Sequence, residues 1–129
     1  MNVKQPAVDL ALQKYATPVG DLFVAIRHGR MKRCFSRETA IRYLAFFMTT
    51  CAFERSGFKQ RHPDALVTHP VHGKAWKRGG ITEGYYFAHQ RTVRRIRRIL
   101  AKKREIAKWQ KDYDAAASNI ALLLSQKPY

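Results

Sequence analysis

The chain has 129 residues, enough for one domain with a modest core but not for two. Twenty-five Lys and Arg against nine Asp and Glu give a formal net charge of +16. That excludes a nucleic-acid mimic, which would be acidic, and predicts adhesion to nucleic acid or another anionic surface.

In chain order, Val8, Leu10, Ala11, Leu12 and Tyr15 predict a short N-terminal helix with Pro6 in its first turn, ended by Thr17-Pro18-Val19-Gly20. Residues 22–27 (LFVAIR) and 31–35 (MKRCF) are rich in β-formers and flank His28-Gly29-Arg30, which suits a hairpin loop. Arg27, Arg30, Lys32 and Arg33 cluster around that turn, either as a solvated tip or as phosphate contacts. Ser36 is a good N-cap for a helix over 37–55, with Glu38 in its first turn. Ile41, Leu44, Phe46, Phe47, Met48, Cys51 and Phe53 make that helix apolar nearly all round, so it is the expected core helix.

Residues 56–81 lose any sustained period and carry Pro63, Pro70, Gly57, Gly73, Gly79 and Gly80, which predicts an irregular basic arm. Within it, Lys74, Trp76, Lys77 and Arg78 interleave charge with an aromatic ring, a pattern suited to stacking on bases between phosphates. The same residues also fit an arm that packs Trp76 and Val71 on the core and leaves its lysines in water.

Residues 91–111, RTVRRIRRILAKKREIAKWQK, hold ten Lys or Arg and one acid, Glu105, with no Gly or Pro. They predict one helix, with Val93, Ile96, Ile99, Leu100, Ile106 and Ala107 on an apolar stripe. Lys103 falls inside that stripe and must snorkel or meet a partner. Arg91/Arg95, Arg94/Arg98, Arg98/Lys102 and Arg104/Lys108 are like-charge i,i+4 pairs, each costing roughly a few tenths of a kcal/mol unless an anion relieves them. A row about 30 Å long, at about 1.5 Å per residue, spans several phosphates. The expected binding residues are therefore Arg91, Arg94, Arg95, Arg97, Arg98, Lys102, Lys103, Arg104 and Lys108. The Lys74, Trp76, Lys77 and Arg78 arm is the expected second contact.

A helix continuing to Ser125 would be about 65 Å long at about 1.5 Å per residue, more than a globule of this size spans. A break near residues 110–114 is one expectation, with the apolar tail (Ile120, Leu122, Leu123, Leu124) folding back on the core helix as a separate C-terminal helix. A homodimer through that tail is the other. The predicted architecture is α+β in a single domain, 1–129. Residues 1–56 form a helix-hairpin-helix core, 57–81 a basic arm, and 82–129 the long basic helix and apolar tail helix.

Chemistry is weakly signalled. His62, Asp64, His69 and His72 are the nearest thing to a metal set, yet no Cys pair or HExxH pattern frames them. Carboxylates are scattered and no Walker-type loop occurs, so neither a two-metal nuclease nor a nucleotide cofactor is expected. An RNA-cleaving or metal-dependent role for those histidines stands as the enzymatic alternative. Cys34 and Cys51 are too few for a disulfide scaffold. The first twenty residues lack the apolar run of a signal peptide, and no stretch approaches about 18 apolar residues. The reading is a cytoplasmic, non-enzymatic nucleic-acid-binding protein with no membrane partner. The runner-up is an inhibitor or adaptor of the kind phages and plasmids carry, for example against a host defence. It would dock its basic helix on an acidic or nucleic-acid-binding surface of a larger protein complex.

Overall fold

The computed structural model describes residues 7–129; Pro6, expected at the head of the first helix, lies outside them. The architecture is mixed α+β. Contacts divide the chain into two compact units, Met1–Ile96 and Arg97–Tyr129.

In the first unit a short helix, α1 (Ala7–Ala11), leads into three antiparallel strands in the order β1 (Leu12–Thr17), β2 (Gly20–Arg27), β3 (Arg30–Cys34). The predicted N-terminal helix is thus cut to five residues, and Leu12 and Tyr15 belong to a strand. The cause is pairing: Leu12 lies opposite Ala25 and Thr17 opposite Gly20, so β1 covers an edge of β2 that would otherwise be open. Pro18 and Val19 form the hairpin turn instead of a helix stop. The next hairpin is tighter than its sequence suggested, with only His28 and Gly29 between paired Arg27 and Arg30. Both loop residues have positive φ, 52° and 74°, as a type I′ turn requires.

Helix α2 (Arg37–Ser56) starts where Ser36 accepts a hydrogen bond from the Thr39 N–H, and ends at Gly57 in the left-handed region (φ 76°). It packs on β2 and β3. Val24 and Ala25 of β2, Ala40, Ile41, Leu44 and Ala45 of α2, and Ala11 and Cys34 are the buried apolar core residues of these elements.

The opening turns of α3 (Glu83–Ser125) complete that core. Tyr85, His89, Val93 and Ile96 are buried at i,i+3/i+4 spacing. The His89 ring stacks on Phe46 at 3.8 Å, and its Nε2–H donates to the Arg42 carbonyl at 3.1 Å. Tyr85 and Thr50 hydroxyls share a hydrogen bond of 2.8 Å.

Two expectations change along α3. No break occurs near residues 110–114: one helix of 43 residues runs to Ser125, because nothing after Gly84 interrupts it until Pro128. The tail therefore makes no reverse turn, and there is no separate C-terminal helix. The apolar stripe is also only partly used, since Val93, Ile96 and Leu100 are buried while Ile99, Ile106 and Ala107 are exposed.

Residues 56–81 are more ordered than their composition implied. They contain a second hairpin, β4 (Ala65–His69) and β5 (Gly73–Lys77), joined by Pro70, Val71 and His72. Among the described residues no helix is long and apolar enough to cross a membrane.

Candidate nucleic-acid interface

The cationic face of α3 is built by what its other face does. Burying Val93, Ile96 and Leu100 fixes one side, and Arg91, Arg94, Arg95, Arg97, Arg98, Lys102, Lys103, Arg104 and Lys108 are all exposed. Arg91, Arg94 and Arg95 belong to the first unit and the others to the second. Lys103, placed by periodicity in the apolar stripe, is exposed, so it does not snorkel past a packed surface. The lone acid of the stretch, Glu105, lies 3.5 Å from Lys102. With ten cations and one acid, an excess of nine positive charges (10 − 1) stands along one stretch of helix. A solvated helix would normally intersperse both signs.

The arm is a two-stranded ribbon whose residues from Ala65 to Lys77 are all exposed. Leu66 pairs with Trp76, so both side chains share one face, next to the paired Thr68 and Lys74. Trp76 is 73% exposed and Val71 79%. The structure thus decides against an arm packed down on the core, and presents Trp76 and Lys74 on one face and Lys77 on the other. The ribbon's tip is held by His69, whose Nδ1 accepts from the Val71 N–H at 3.1 Å and the His72 N–H at 3.3 Å.

A clasp closes the arm's base. Arg61 and Ile81 form an antiparallel bridge, the His62 N–H donates to the Gly80 carbonyl at 2.8 Å, and the Thr82 N–H donates to the Gln60 carbonyl at 2.9 Å. The Gly79 N–H donates to Asp64 Oδ1 at 2.9 Å, and Arg61 donates to the Gly79 carbonyl at 3.2 Å. Gly79 has to be glycine here, because a Cβ would stand 1.9 Å from the His62 carbonyl oxygen.

Sequence reasoning missed what the clasp creates. Arg30 from the start of β3, Arg61 from the clasp and Arg78 from the end of the arm line one cleft of about 260 Å³, with Thr50, Gln60 and Tyr85 supplying polar groups. Glu54 is the only acid in the lining and takes Arg30 at 3.1 Å, so the three arginines leave an excess of two positive charges (3 − 1). These residues lie far apart in the chain. The sequence signalled Arg30 in the basic turn and Arg78 in the arm, but not that they would meet each other and Arg61.

His69 and His72 stack at 4.8 Å, but the Nδ1 of His69 is occupied by backbone N–H groups, and Asp64 is held by Gly79. Among the described residues no group of three His, Cys, Asp or Glu is placed to hold a metal ion. Both cysteines are free thiols. Comparison of the chain with family models, with curated proteins and with solved structures finds no match.

Proposed function

We propose that the protein binds nucleic acid through its phosphates, in the cytoplasm and without catalysing a reaction. The observation that carries this reading is the exposed, one-signed row on α3, from Arg91 to Lys108, with a single carboxylate among its cations. Self-repulsion along that row falls when a polyanion lies beside it, and counterions released from the polymer drive the association. The Arg30, Arg61 and Arg78 cleft supplies a second phosphate seat. Trp76 supplies a ring on which an unpaired base can stack. Contacts of this kind set position and affinity and carry little sequence information, so specificity is modest.

The test is titration against duplex DNA, single-stranded DNA and RNA across a salt series that includes about 150 mM. Binding that survives there with a steep log–log slope is expected. Neutralising Arg94, Arg98 and Lys108 together should flatten the slope by roughly one per lost phosphate contact. An unchanged slope removes α3 as the binding face. Failure to bind any of the three polymers at that salt transfers the cationic face to an acidic protein surface, the adaptor or inhibitor alternative, to be pursued by pull-down.

A further inference from the structure

The second unit has an apolar face that the phosphate reading does not use. Ile106, Trp109, Tyr113, Ile120 and Leu123 are each between 56% and 68% exposed. With Ala116 they recur at spacings of three, four, three, four and three, the period of a seam that packs against another helix. Helix propensity alone holds such a segment weakly in water, and most helical stability comes from burying an apolar face. Trp109 and Tyr113 already stack on each other at 5.3 Å, which widens the face without covering it.

Charge says what covers it. Residues 91–111 carry ten cations and one acid, whereas residues 112–126 carry Asp112 and Asp114 and no cation. Two parallel copies would lay cationic stretch against cationic stretch. Two antiparallel copies lay each cationic stretch against the other's apolar, acidic tail. We infer that the second unit pairs antiparallel with a second copy of itself along this face. Continued back at the same spacing, the seam takes in Lys102 and Ile99, and these eight positions match themselves about residue 111. It sets Trp109 against Tyr113, Ile106 against Ala116, Lys102 against Ile120 and Ile99 against Leu123. Asp114 then lies level with the second copy's Lys108, and only Lys102 interrupts the apolar seam, where its stem lies on Ile120. Apart from Lys102, the seam uses none of the residues assigned to phosphate binding. It also makes the molecule bivalent, with a cationic stretch at each end of the paired helices.

Sedimentation equilibrium of the full chain at physiological salt tests the pairing. A mass rising to twice that of the chain with concentration is expected. The double variant Ile120→Asp/Leu123→Asp, at exposed positions outside the first unit, should stay monomeric. A wild-type chain that is monomeric throughout, or a double variant that still dimerises, overturns the proposal. Orientation is read by disulfide capture. Ile106→Cys mixed with Ala116→Cys should give the mixed disulfide, located by peptide mass. Each variant alone should give none, because antiparallel copies hold the same position about 15 Å apart along the axis, at about 1.5 Å per residue over ten residues. That is beyond the roughly 7 Å limit of a disulfide. Efficient self-capture by each variant alone, with dimerisation intact, would mean parallel pairing and would overturn the register.

Discussion

Replacing Gly79 with alanine puts a methyl group 1.9 Å from the His62 carbonyl oxygen, 2.6 Å from the His62 carbonyl carbon and 2.9 Å from the Pro63 carbonyl oxygen. All three are backbone atoms, so no side chain can swing aside. Reaching ordinary contact means opening the base of the arm by more than about 1 Å, given that carbon atoms rest about 3.5–4.0 Å from their neighbours. Three hydrogen bonds lie in the path of that movement: Gly79 N–H to Asp64, Arg61 to the Gly79 carbonyl, and His62 N–H to the Gly80 carbonyl. At roughly 0.5–1.5 kcal/mol net each, losing two or three costs about 1–4 kcal/mol of local stability. The first-unit core is untouched, so the loss appears as local opening. Amide hydrogen exchange should show faster exchange at His62 and Gly79, by roughly tenfold for each 1.4 kcal/mol, with the amides around Leu44 unchanged. Retained protection at both sites would refute the clasp as the element that holds the arm. Slowed binding in the same variant would tie arm order to recognition.

Leu44→Ala should destabilise the first unit by about 2–5 kcal/mol, because Leu44 is among its most fully buried side chains. Thermal unfolding by circular dichroism measures this, and a loss under about 1 kcal/mol would misplace the core. Ser36→Ala removes the N-cap of α2 and should cost about 0.5–2 kcal/mol in the same assay. Trp76→Ala should weaken single-strand binding by about 1–3 kcal/mol while leaving the salt slope for duplex DNA in place. Equal losses on both polymers would show that Trp76 does not stack on unpaired bases.

Where local chemistry decides the backbone, the residues announced it. Ser36 and Gly57 bracket α2 as caps should, and His28-Gly29 marks a turn between strands. The long stretch free of Gly and Pro between Gly84 and Pro128 marks an uninterrupted helix. The expected break in that helix rested on compactness rather than on any residue, which is why it was not found. Leu12–Thr17 (LQKYAT) has no strong strand signature. It becomes β1 because β2 needs a neighbour, and such tertiary pairing overrides weak propensity. The alternation in ALVTH and GKAWK was hidden by the proline, glycines and lysines around it. Arg30 and Arg78 were marked as basic contacts, but their meeting with Arg61 in one cleft was beyond sequence, since it needs a turn, a bridge and a hairpin end to converge.

The bridge between Arg61 and Ile81 brings the two ends of the arm side by side, so the whole ribbon enters and leaves the chain at one point. Because closing a longer or shorter loop between fixed ends changes the free energy only slowly with length, the arm can be lengthened, shortened or replaced with little effect on the strands and helices beneath it. The arm is an insert hung from a single doorway, and the fold beneath it does not depend on what hangs there.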